Sequence, residues 1–358
     1  MSTSEIKTLE DLHAFLYAAM RLEHATIPPY LTALYSIVPG TNSDAYHVLR
    51  VAAVEEMLHL TLVANVLNAV GGTPDLTKPD FVPVYPAYLP DGEEDFQVNR
   101  QRFSKACIEN FLQIERPHEA PSENQTLMHR ELPKRQRLGV APTAPDYQFF
   151  SIGEFYRAIY HGIHELHDTL GADALFCGDP KRQITSEYFF SGGGWVLPVT
   201  DLPSARRVLD LIAGQGEGYG GGIYDAEHEL SHYYRFQQLT LGRFYQTGDK
   251  PDAPTGPPVN VDWDASFPIK TNATLADFPA GSELRAAAES FNRAYADFLA
   301  LLTRAYTGEP SALTEAIAGM FRLRDLMTQL IHNPIPGLPG THAAPTFEVA
   351  ALAQAATP

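Results

Sequence analysis

Apolar residues recur at helical spacing through most of the chain, in blocks divided by proline- and glycine-rich stretches. Leu12, Phe15, Leu16 and Ala19 share one face, and Thr8 with Asp11 has the form of a capping box, which predicts a helix over 8–37. Pro28-Pro29 must kink or end that helix locally. A second stripe predicts a helix over 46–69, closed by Gly71-Gly72. Periodicity returns over 151–170 and again over 204–241, where Gly214–Gly222 breaks it into two pieces. Convincing strand alternation is scarce, so the chain reads as all-α.

Between the second and third of these helices lies 73–148, where prolines recur with tyrosine and phenylalanine between them. It reads as an extended crossover with one shorter helix near Ser104–Ile114. A four-helix bundle needs such a crossover when its second and third helices are not antiparallel neighbours. The expected organisation is a bundle over 1–245, a Pro/Gly/Asp-rich linker over 246–280, a C-terminal helical hairpin over 281–335 and an irregular tail over 336–358.

Composition narrows the function. The 358 residues carry a formal net charge of −17, which opposes binding to nucleic acid and to anionic membrane surfaces. Two cysteines support neither a disulfide framework nor a thiolate-rich zinc site. The first residues do not have the form of a secretory signal, and no apolar run approaches a membrane span. The expectation is a cytoplasmic protein.

The informative motif is Glu-x-x-His. With 23 glutamates and 13 histidines the chain should hold about one such match by chance, and it holds four. Glu10-x-x-His13 falls in a first helical turn, and Glu115-Arg116-Pro117-His118 contains a proline, so both read as coincidental. Glu56-x-x-His59 and Glu229-x-x-His232 lie inside predicted helices, where residues i and i+3 share a face. The first sits on the stripe Ala52, Glu56, His59, Val63, Val66, Val70, a core-facing seam where a carboxylate is costly unless paired or bound to a metal. Each copy follows a helix with its own glutamate, Glu23 on the stripe of the first and Glu154 at the start of the third. The order Glu, Glu-x-x-His, Glu, Glu-x-x-His is the ligand set of a carboxylate-bridged two-metal centre. Carboxylates and imidazoles without thiolates suit iron or manganese. Glu217, where the fourth helix breaks, is an alternative to Glu229.

Gly216-Glu217-Gly218-Tyr219-Gly220-Gly221 fits G-x-G-x-x-G but follows a helix rather than a strand, so a dinucleotide site is not expected. His161, His164 and His167 read as ordinary helix histidines. The aromatic crossover, with Phe81, Tyr85 and Tyr88, and Trp195 after Gly192-Gly193-Gly194 are candidates for lining a substrate pocket.

Leu22-Glu23-His24-Ala25-Thr26-Ile27-Pro28-Pro29-Tyr30 and Val54-Glu55-Glu56-Met57-Leu58-His59 resemble the ferritin-like domain of the violacein- and rebeccamycin-type imine dimer synthases. So do Ser151-Ile152-Gly153-Glu154-Phe155-Tyr156, Gln215-Gly216-Glu217-Gly218 and His232-Tyr233-Tyr234-Arg235-Phe236. The resemblance runs over most of 5–335 and implies a ferritin-like bundle and, in the relatives, oxidative coupling of amino-acid-derived imines. Those synthases are much longer chains, and this one looks like a stand-alone ferritin-like protein of the group.

The expected activity is that of a di-iron oxidase or oxygenase that uses O₂ on a small aromatic or amino-acid-derived molecule, with an external electron donor. Glu23 and His59 would hold one iron or manganese ion, Glu154 and His232 the other, and Glu56 and Glu229 would bridge. The alternative is an iron-handling protein that oxidises or stores Fe(II) without an organic substrate. Such a protein would be a large homo-oligomer.

Overall fold

A computed structural model describes residues 6–90, 95–117, 149, 151–189, 192–218 and 222–349. Helix α1 (Leu9–Ser36) begins at the capping box seen in the sequence: the Thr8 hydroxyl accepts from the Asp11 backbone and the Asp11 carboxylate accepts from the Thr8 backbone. A short turn at 37–42 returns the chain into α2 (Ser43–Ala69), and the two helices form the most extensive helix pair of the bundle. The described part of the crossover contains one helix, α3 (Lys105–Ile114); the expected course of 118–148 lies outside the described residues. Helices α4 (Ile152–Leu170) and α6 (Leu202–Glu217) make the second pair, joined through the short α5 (Ala172–Leu175). Helix α7 (His232–Leu241) packs on α3, and α8 (Glu283–Tyr306) and α9 (Ala312–Ile331) form a hairpin. Among the described residues there is no β-strand, only isolated bridges such as Ala87–Val98. No helix among them is long and apolar enough to cross a membrane.

The prolines do not stop α1, which runs through Pro28 and Pro29. Proline at 29 removes the N–H that would bond the carbonyl four residues earlier, at Ala25. The Tyr85 hydroxyl donates to that carbonyl at 2.7 Å. Tyr85, expected to line a substrate pocket, is thus buried and repairs the helix. Trp195 is 69% exposed.

The fourth bundle helix is broken, as the glycines imply, but at other points than expected. Helix α6 continues to Glu217 and α7 begins only at His232, after the bridge between Tyr224 and Leu230. The hairpin shares one apolar core with the bundle: α8 packs against α2 and α9 against α1. Arg100 joins this assembly from the crossover side. Its buried guanidinium donates to the carbonyls of Ala273 and Pro345 (3.0 and 2.5 Å) and lies between the rings of Tyr85 and Phe347.

Candidate metal centre

Five side chains from four helical segments converge in the bundle. Glu23 comes from α1, Glu56 and His59 from α2, Glu115 from the residue that ends α3, and His232 from the first residue of α7. All five are buried. They form two groups whose donor atoms lie close together: Glu23, Glu56 and His59, and Glu56, Glu115 and His232. Glu56 belongs to both. Its Oε2 stands 3.6 Å from His59 Nδ1 and its Oε1 stands 2.9 Å from His232 Nδ1, so each oxygen faces a different imidazole. The imidazoles themselves are stacked with centroids 5.6 Å apart.

The surroundings determine which nitrogen of each histidine is available. Gln215 donates its amide nitrogen to the Gly193 carbonyl at 2.9 Å, which turns its amide oxygen toward His59 Nε2 at 2.8 Å. An oxygen can only accept there, so Nε2 carries the proton and Nδ1 is left to face Glu23 and Glu56. Gly193 has φ of +101° and lies against Glu55, with room for no side chain to be added without strain, and this close approach puts its carbonyl within reach of Gln215. His232 is held the same way: Nε2 lies 2.7 Å from Glu55 Oε2, leaving Nδ1 toward Glu56 and Glu115. Such carboxylate and amide supports are the usual outer partners of metal-binding imidazoles. Tyr156 donates to Glu23 Oε1, and Tyr30 donates to Glu115 Oε1 at 2.5 Å.

The donor set fits metal ions, and one atom makes the point. His232 Nδ1 is fully buried and has no hydrogen-bond partner, although carboxylate oxygens stand 2.9 and 3.5 Å away. The oxygens lie beside the nitrogen rather than along its N–H direction, which suits a shared cation better than a shared proton. The electrostatics agree. Burial and the neighbouring Glu56 push the Glu23 carboxyl up to about 7, and burial raises Glu115 as well. Burial disfavours charge on His59, yet the carboxylates of Glu23 and Glu56 overcome it and raise the imidazole to about 10. His232 is raised well above its ordinary value against the same burial, by Glu115, Glu55 and Glu56. Glu56 alone goes down, because the two imidazoles outweigh its burial. The pattern is that of a site short of positive charge, in which protons take the place of cations.

The structure brings together Glu23, Glu56, His59 and His232 of the residues singled out in the sequence, and it leaves three others outside the cluster. Glu229 is 59% exposed and pairs with Arg235 at 2.8 Å. Helix α7 begins only at His232, so Glu229 precedes it and the i, i+3 relation to His232 does not exist. Glu154 sits in the first turn of α4, half-buried, while Tyr156 from the same helix reaches Glu23. Glu217 is buried at the end of α6 and accepts the Gly153 N–H at 2.6 Å, tying α6 to α4. Glu115 stands where a lone ligand from the third bundle helix was expected. The proline two residues on disqualifies Glu115-x-x-His118 as a helical pair but not Glu115 itself. It extends the α3 stripe Cys107, Phe111 by a further step of four, and that was the available signal.

The sequence profile of the ferritin-like family matches residues 16–241, which include all five clustered residues, and the chain belongs to that family. Among its relatives is dichlorochromopyrrolate synthase of Lentzea aerocolonigenes, 25% identical over 323 residues. The alignment takes in 82% of this chain but only 29% of that enzyme's length. The resemblance to the ferritin-like part of such synthases is therefore borne out. The crystal structure of a ferritin-like protein from Caulobacter vibrioides superposes with a TM-score of 0.56 at 23% identity, covering 90% of this chain and 95% of that one. That likeness confirms the fold.

Proposed function

We propose that this chain is a dimetal-carboxylate oxidoreductase that uses O₂ on a small aromatic or amino-acid-derived molecule, drawing electrons from an external donor. The observation that carries the reading is Glu56, one buried carboxylate whose two oxygens face two imidazoles, each imidazole held with Nδ1 inward. Glu23, Glu56 and His59 would hold one ion, and Glu56, Glu115 and His232 the other. Two iron or manganese ions there would supply the electrons that make O₂ reactive toward an organic substrate.

The chain's own residues prepare the site for that load. Gln215 and Glu55 fix the imidazole tautomers, so no ligand has to reorient when an ion arrives. Tyr30 and Tyr156 each satisfy one carboxylate and keep it aimed inward without adding charge. Phe111 and Phe236 pack around Tyr30 and keep that wall dry. On the solvent side, Gln215 lines a cavity of 290 Å³ with Asp210, Asp225 and Glu227 against the one cation Arg207 at its walls, a net acidic approach that suits entering cations. Kinship with dichlorochromopyrrolate synthase supports an organic substrate over iron storage.

The test is metal content after anaerobic Fe(II) loading, followed by O₂ uptake with a reductant. About two ions per chain are expected in the wild type, none in Glu56→Ala and about half in Glu115→Ala. Glu154→Ala and Glu229→Ala should keep the full load. Near-zero metal in the wild type would overturn the centre. A loaded protein that assembles into a large cage and turns over excess Fe(II) with every small aromatic left untouched would overturn the oxidoreductase reading in favour of iron handling.

A further inference from the structure

The two halves of the candidate centre match on the inside and differ behind. Each half offers one terminal glutamate, one imidazole Nδ1 and one oxygen of Glu56. These are Glu23, His59 and Oε2 on one side, and Glu115, His232 and Oε1 on the other. Each terminal glutamate accepts one tyrosine hydroxyl, from Tyr156 or from Tyr30. What holds the imidazole Nε2 is not matched. His59 has the neutral amide oxygen of Gln215 at 2.8 Å, whereas His232 has a carboxylate oxygen of Glu55 at 2.7 Å.

Both acceptors select the same tautomer, but they do not make equal ligands. A negative charge behind the ring draws on the Nε2 proton and moves electron density to Nδ1, so the ring becomes a stronger base toward a cation. Glu55 keeps most of its charge for this role. Arg235 lies 3.4 Å from its other oxygen, at the long end of a hydrogen bond, while shorter bonds of that guanidinium run to Glu229 at 2.8 Å and to the Leu230 carbonyl at 2.5 Å. Glu55 and His232 are both buried, so water screens their interaction little. A smaller difference runs the other way. Tyr30 donates to the Glu115 oxygen that stands 3.5 Å from His232 Nδ1, and Tyr156 donates to the Glu23 oxygen that does not face His59. A neutral hydroxyl leaves the carboxylate its net charge, so it offsets only part of what a buried anion behind His232 adds.

We propose, resting on the dimetal reading of the site, that Glu55 and Gln215 make its halves unequal: the half built on His232 and Glu115 holds its ion the more tightly, and the half built on His59 and Glu23 holds its ion the less tightly. Glu55 and Gln215 are positioning residues here, acting on the ions only through the imidazoles.

The test isolates each half in the full chain. Glu115→Ala leaves the His59 half and Glu23→Ala leaves the His232 half, and each is titrated anaerobically with Mn(II) at one pH, the free ion being followed by electron paramagnetic resonance. Glu23→Ala should bind Mn(II) about 10- to 100-fold more tightly than Glu115→Ala. Adding Glu55→Gln to Glu23→Ala should weaken binding by a similar factor, and adding Gln215→Glu to Glu115→Ala should strengthen it at least tenfold. Glu55→Gln added to Glu115→Ala should change binding less than threefold, which a general loosening of the bundle would not respect. Circular dichroism reports the fold of each variant, and if Glu55→Gln does not fold, Gln215→Glu makes the same comparison on the other half. Equal affinities in the two isolated halves, or an order that neither exchange of amide and carboxylate alters, would overturn the inequality while leaving a centre of two ions in the wild type intact. A wild type that takes up no Mn(II) would overturn the dimetal reading and the inequality with it.

Discussion

Loading the metal-free protein with divalent cations at pH 7 should release about two to three protons per chain, because the ions displace the protons that now balance the cluster. The count follows from the site. His59, raised to about 10 against its burial by Glu23 and Glu56, is protonated at pH 7, and so is His232, raised well above its ordinary value. Each must give up the Nδ1 proton to become a ligand, which is two. Glu23, held near 7 by burial and by Glu56, contributes part of a third, and Glu115 is shifted in the same direction. Glu56 contributes none, since the imidazoles keep it ionised. Affinity should therefore fall by about two to three powers of ten for each pH unit below 7, as protons regain the site. The assay is anaerobic calorimetric titration with Mn(II) at one pH in two buffers of different ionisation enthalpy, the difference in apparent heat giving the protons released. Glu229→Ala should release the same number as the wild type. Release of fewer than one proton per chain on full loading would refute the electrostatic account of the cluster.

Two further predictions concern the scaffold. Tyr85→Phe should destabilise the fold by about 1–3 kcal/mol in urea denaturation, since it leaves the Ala25 carbonyl opposite Pro29 buried and unbonded, while metal content stays unchanged. Gly153→Ala should cost about 1–3 kcal/mol, because a Cβ there would lie 2.5 Å from Glu217 Oε2, which the Gly153 N–H bond prevents from turning away. Truncating the neighbour in Gly153→Ala/Glu217→Ala should cost less than the two single changes together, as a double-mutant cycle would read.

The bundle was legible in the sequence because its helices are long and their apolar stripes continuous. Helices α1, α2 and α4 fall within a few residues of their expected bounds, and the two α2 ligands follow from spacing alone. What spacing could not show was where a helix starts in three dimensions. Glu229-x-x-His232 has helical spacing, but α7 begins only at His232 and the Asp225 carboxylate accepts from the Glu227 and Glu229 backbone, holding the preceding stretch in a turn. Periodicity is silent about such side-chain-to-backbone competition. Glu115 was obscured by Pro117, which rules out a helical pair with His118 but leaves Glu115 itself at the end of α3. Gln215, Glu55, Tyr30 and Tyr156 act through partners 22 to 180 residues away in the chain, and no local pattern reports those distances. Tyr85 shows the converse: an aromatic residue in a proline-rich crossover suggests a pocket, yet its partner is a carbonyl left open by another proline.

Glu23 and Glu56 turn to the cluster, while the residues after them, His24 and Met57, line an apolar cavity between the α1–α2 pair and the α8–α9 hairpin. That alternation also bears on how the chain reaches one native arrangement. Rotating α1 by a single residue would carry Glu23 to the place of His24 beside the apolar cavity and bring Leu22 toward the imidazoles, and the same turn of α2 would carry Glu56 to the place of Met57. A buried charge stripped of its partners costs several kcal/mol, far more than such a slip could recover in packing. Alanine- and leucine-rich helices by themselves tolerate many rotational settings of similar energy. Here the polar cluster on one face and the apolar cavity on the other exclude all but one, so the ligand residues serve as an alignment key for the bundle before any ion is bound.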